Sequence, residues 1–144
     1  MRRFLIVANQ TLGGDHIIDE MQRRIAEGPC AFYVVVPATL PQDHLVATDG
    51  QARALARARL DRALERFSRL DADVTGEVGD ERPLDAIVDA LLGDHYDGII
   101  LSTLPAGLSR WLWMDLPSRV ERQFDLPVTH IIAEPEPVTA AARR

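Results

Sequence analysis

Two segments of this 144-residue chain carry groups suited to chemistry. The first is Asn9-Gln10-Thr11-Leu12-Gly13-Gly14, which follows an apolar run and leads at once into a helical pattern. Paired glycines before a helix N-terminus let the backbone turn tightly and aim N–H groups at an anion. An ordinary strand-to-helix turn uses the same residues, with Asp15 as the cap, so the motif alone leaves both uses open. The second segment begins at Ser102-Thr103-Leu104-Pro105 and runs on through Ser109, Arg110, Trp111, Trp113 and Asp115 to Arg119. A guanidinium beside hydroxyls near a helix start suits phosphate or sulfate. Two tryptophans in a loop stack on a base, anchor a partner or fold back into the protein.

The remaining reactive side chains form no local constellation. His16, His44, His95 and His130 show no H-x3-H or H-E-x-x-H spacing, so no metal ligand is assigned. Cys30 opens an apolar run without a basic neighbour in sequence and reads as a buried, inert thiol. No G-x-S-x-G is present, and no catalytic residue is assigned. All 16 basic residues are arginine, which removes lysine Schiff bases and phosphate-gripping ammonium groups from consideration. Arg59, Arg62, Arg66 and Arg69 fall on one face at helical spacing, either as a solvated face with local ion pairs or as a basic stripe for an acidic partner.

The elements that must position these groups follow from periodicity. Strand-like runs occur at Phe4–Ala8, Ala31–Val36, Asp73–Val78, Gly98–Ser102 and Val128–Ile132. The first is apolar without alternation, as a strand covered on both faces should be, and the third alternates and belongs near an edge. Helical patterns fill residues 15–27, residues 50–70 and the segment after Pro83, and a shorter one starts near Asp115 or Pro117. Strict alternation of strand and helix predicts an α/β fold: an open five-stranded parallel sheet with helices on both faces, joined by right-handed crossovers. In such a sheet ligands sit beyond the carboxyl ends of the strands, where the strand order reverses. The expected pocket is therefore Asn9, Thr11, Gly13, Gly14, Val36, Ser102, Thr103, Ser109, Arg110 and Asp115.

Composition bounds the rest. At 47% apolar and 26% charged, the chain has the balance of one domain, taken as residues 1–134, with a flexible tail over 135–144. A net charge of −6 argues against a general nucleic-acid binder. No apolar run approaches the ~20 residues of a membrane span, the N-terminus does not read as a signal peptide, and a single cysteine fits a reducing cytoplasm.

Over residues 3–133 the order of elements, including the long connection at 38–50, resembles the universal stress protein family. Asp97-Gly98-Ile99-Ile100-Leu101-Ser102 stands where that family enters its fourth strand, and Leu126-Pro127-Val128 resembles its entry to the fifth. The resemblance implies strand order 3-2-1-4-5, a Rossmann-like fold akin to the adenine nucleotide alpha hydrolases, which periodicity cannot choose over 2-1-3-4-5. ATP-binding members carry G-x2-G-x9-G-[S/T] after the fourth strand. Alignment through that strand and Pro127 puts Ser102 and Pro105 at the first two glycines, and Met114 and Asp115 at the third glycine and its hydroxyl partner. Asn9 replaces the family's acidic residue at the end of the first strand. Pro105 has no N–H to donate, and Asp115 brings a carboxylate toward a triphosphate, so ATP or another adenine nucleotide is disfavoured as a cofactor.

The leading expectation is a non-enzymatic stress-response or regulatory domain with a small-ligand or anion pocket between the first and fourth strands. The alternative is a nucleotide-binding or nucleotide-hydrolysing enzyme of the same fold. Under the implied order, Val128, Thr129, His130, Ile131 and Ile132 form a sheet edge without proline, glycine or fixed charge, which predicts a homodimer paired along that strand.

Overall fold

The computed structural model describes residues 1–39, 49–105 and 108–132. Of residues 49, 110 and 113 it describes the backbone alone. Ten elements follow in order: β1 (Arg2–Val7), α1 (Asp15–Ala26), β2 (Cys30–Pro37), α2 (Asp49–Phe67), β3 (Asp73–Gly79), α3 (Pro83–Gly93), β4 (Gly98–Thr103), α4 (Arg110–Trp113), α5 (Leu116–Gln123) and β5 (Val128–Ile132). The strands form one sheet in the order β3-β2-β1-β4-β5, with every pairing parallel. This is the order implied by the family resemblance.

Pleating divides the core. Phe4 and Ile6 of β1 and Ala8 just after it, with Phe32, Val34 and Val36 of β2, pack with Ile17 and Met21 of α1 and Ala56, Leu60, Ala63 and Phe67 of α2. Leu5 and Val7 join Val35, Ile99 and Leu101 in the opposite layer, with Ala86 and Ile87 of α3, Trp111 of α4 and Leu116 and Val120 of α5. The helix placement follows from handedness. The chain moves β1 to β2 to β3 in one direction, so right-handed crossovers put α1 and α2 on one face. Its return to β4 and β5 reverses direction and puts α3 and α5 on the other.

The register of β1 and β4 is held by reciprocal bonds at their start: Arg3 N–H donates to Asp97 Oδ2 at 2.9 Å, and Asp97 N–H to the Arg3 carbonyl at 2.8 Å. On the α1 face, Glu20 takes bonds from Arg23 and Arg24 at 2.6 and 2.7 Å. Burial alone would raise its pKa, but these donors and their charge hold the carboxyl below its ordinary value. Arg24 also donates to Thr129 Oγ1 at 2.7 Å, so α1 is tied to edge strand β5. The tail assigned to residues 135–144 lies outside the described residues.

Helix α2 sits unusually close to β3. A Cβ on Gly76 would meet the Val34 carbonyl oxygen at 2.5 Å and Leu60 Cδ1 at 2.9 Å, so only glycine permits the approach. Gly76→Ala is therefore expected to lower stability by about 1–3 kcal/mol through overpacking. Urea unfolding checks this: the midpoint should fall while the slope stays constant.

Candidate functional site

The strand order reverses between β1 and β4, and at their carboxyl ends Thr11 meets Ser102, while the other described residues expected there are held by separate contacts. Asn9 is buried just past β1. Its Nδ2 donates to the Pro37 carbonyl at 2.8 Å, and its Oδ1 accepts Arg59 Nη1 at 2.6 Å. One amide thus ties β1 to the end of β2 and to α2. Thr11 and Ser102 share a bond of 2.5 Å between their hydroxyls, both buried. Thr103 Oγ1 lies 2.8 Å from His130 Nε2, linking β4 to β5. Among the described residues no buried side-chain nitrogen or oxygen lacks a partner.

The turn after β1 spends its own amides. Leu12 N–H bonds the Asn9 carbonyl and Gly14 N–H bonds the Thr11 carbonyl, at 3.2 and 3.1 Å. Gly14 is the N-cap of α1 with φ −80°, an ordinary extended conformation, and Asp15 opens the helix rather than capping it. The glycine pair is therefore not required here by positive φ; among the described glycines only Gly28 has one. Val36 is wholly buried beneath α2, with no surface turned toward solvent.

The segment after β4 contains a feature that periodicity missed. Pro105 offers its carbonyl to Leu108 and Ser109 N–H at 3.0 and 3.1 Å, and Ser109 Oγ accepts Leu112 N–H at 3.2 Å, starting the single turn of α4. A four-residue helix shows no hydrophobic repeat; the signal was Ser109 standing as an N-cap. Trp111 folds back into the core, 7% exposed, and its Nε1 lies 3.4 Å from Thr39 Oγ1. The side chains of Arg110 and Trp113, like residues 106 and 107 and His44, lie outside the described residues. Asp115 is exposed and holds a left-handed backbone, φ 56°, at the N-cap of α5. Its carboxylate is 4.0 Å from Arg122.

Two clefts flank this region. One of about 570 Å³ runs between Thr39, the start of α3 from Arg82 to Asp85, and Met114, Leu116 and Arg119. The other, about 260 Å³, lies between Gly13 and the arginine face of α2. There Arg66 donates to the Gly13 carbonyl and pairs with Asp15 at 3.1 Å. Arg59 and Arg66 are thus turned toward the β1 turn rather than standing as a solvated face, and sequence spacing gave the stripe without its direction. Cys30 is buried, and desolvation raises its pKa, as expected of an unreactive thiol. No helix among the described residues is long and apolar enough to cross a membrane.

No family model matches the chain, and no curated protein matches it. Solved structures do. A universal stress protein in complex with cAMP superposes with a TM-score of 0.62 at 17% identity, covering 92% of this chain and 98% of that one. A protein of the universal stress protein family from Burkholderia pseudomallei gives 0.57 at 16% identity, over 91% and 96%. The α/β architecture described above is the universal stress protein fold.

His130 provides a test of the seam between β4 and β5. Desolvation lowers its pKa from the ordinary 6.5, while the charge of Glu121 acts the other way. The folded state favours neutral imidazole, so its stabilisation is present above the unfolded pKa and is lost as pH falls through the lower folded value. Urea midpoints should be level above about pH 7 and decline below about pH 6.5. His130→Gln should decline less over the same range.

Proposed function

We propose that this chain is a divergent universal stress protein that acts without catalysis, as a ligand-responsive regulatory domain of the cytoplasm. The observation that carries this reading is the superposition over nearly the whole length of a universal stress protein holding cAMP. The ligand site is placed beyond the carboxyl ends of β1 and β4, where the reversal of strand order opens a crevice. Its occupant is a small anion or a nucleotide of low charge. A triphosphate fits poorly against the described part of the loop after β4. Ser102 is bonded to Thr11, Pro105 has no N–H and turns its carbonyl into the loop, and Asp115 adds a carboxylate at the start of α5.

Calorimetry with ATP and magnesium tests the ligand class. Binding is expected to be absent or weaker than about 100 μM. A low-micromolar constant, worth about −8 kcal/mol, would overturn the reading, since it requires an intact phosphate cradle.

The assembly proposed for this domain is a two-fold dimer through β5. That strand is the sheet edge, and Ile132 at its end is 54% exposed. Pairing with its own copy satisfies the free backbone groups and closes the assembly. Light scattering should give twice the 16.0 kDa chain mass, and Ile131→Pro should give a folded monomer. A monomeric wild-type chain at tens of micromolar ends the proposal.

A further inference from the structure

We propose that β5 meets a second copy of this chain in one register, with His130 on the two-fold axis opposite its own counterpart, and that protonation of this pair opens the dimer. This deepens, and rests on, the β5 dimer put forward above.

Backbone direction fixes the register. In a parallel ladder, alternate residues of a strand point both backbone groups at the same neighbour. Ile99 stands opposite Val128, and its N–H donates to the Pro127 carbonyl at 2.9 Å. Thr129 and Ile131 therefore turn their backbone groups to β4. Val128, His130 and Ile132 turn theirs to the open edge, where no described strand takes them. A two-fold axis perpendicular to the sheet keeps every side chain on its own face, so one residue must meet itself across the axis. Placing His130 there pairs Val128 with Ile132 and Thr129 with Ile131, and it bonds every outward-facing group of the strand Val128–Ile132. Centring on Thr129 or Ile131 leaves an end of the strand unpaired. The same register covers Ile132, 54% exposed, with an apolar partner.

His130 then faces a like ring, with Cβ atoms about 5 Å apart. It shares the face of Val128, which packs in the layer of α3 and α5, and its Nε2 lies 2.8 Å from Thr103 Oγ1. The residues of β4 offer it no titratable group. From α5 the charge of Glu121 favours the imidazolium, against desolvation, which favours the neutral ring. On the opposite face α1 places Arg24, paired with Glu20 and bonded to Thr129. The second copy brings the same groups and removes water from both rings, so pairing sets further desolvation and a like charge against protonation. The dimer is therefore strongest with both rings neutral and is lost as pH falls through the histidine range.

Sedimentation equilibrium of the full chain at about pH 7.5 and about pH 5.5, at constant ionic strength, measures the association, and far-UV circular dichroism at each pH reports the fold. Association is expected to weaken by about tenfold or more at the lower pH with the spectrum unchanged. His130→Gln, which keeps a hydrogen-bonding group beside Thr103, should dimerise equally at both values. Oxidation of single cysteine variants reads the register separately. His130→Cys should form a covalent dimer of twice the 16.0 kDa chain mass and Val128→Cys should not, the native Cys30 being buried. A dimer that ignores pH, an equal loss in His130→Gln, or a dimeric His130→Cys chain that does not cross-link overturns the register and its switch while the β5 dimer stands. A wild-type chain that is monomeric at the higher pH at tens of micromolar ends both.

Discussion

The central position of β1 between β2 and β4 governs the rest of the molecule. Its side chains divide strictly, Phe4 and Ile6 to one core layer and Leu5 and Val7 to the other. Each layer seats its own helices against one row of that strand. All of these residues are buried to within 5% or less of exposure, so the strand has no free face on which to slip. A shift of one residue would exchange the two rows and set each against the wrong helices. Because the chain leaves β1 in one direction and comes back to β4 on its other side, the loops at their carboxyl ends diverge. The buried polar residues Asn9, Thr11, Ser102 and Thr103 collect in that gap.

What fills the gap is a seam of internal hydrogen bonds. Asn9, Thr11, Ser102 and Thr103 each find a protein partner, and together they join the carboxyl ends of β1, β2, β4 and β5. Buried hydroxyls and amides are costly unless bonded, so a seam with every member satisfied fixes the geometry of the loops around it. Asn9 is its most connected member. Through Arg59 it also joins the end of β1 to α2.

The strands were legible because a parallel strand covered on both faces must be apolar throughout, and the edge position of β3 showed in its alternation. The order of the strands was not legible from periodicity, since either arrangement of five parallel strands buries the same residues; it rested on the family resemblance. The polar members of the crevice were readable from their place after β1 and β4. Their use was not, because Thr11 meets Ser102 across 91 residues of sequence. The arginine stripe was visible from its spacing. That Arg59 and Arg66 turn inward depends on where the β1 turn lies relative to α2, which helical spacing does not encode. Trp111 reached the core through the single turn of α4, too short to leave a pattern.

The close approach of α2 to Gly76, together with its link to Asn9, anchors the helix to the sheet beneath it. Residues 40–48 lead from β2 toward this anchored helix. That connection can therefore gain or lose residues over evolution while the arginines keep their geometry, which makes it the natural point for relatives of this fold to diverge in length.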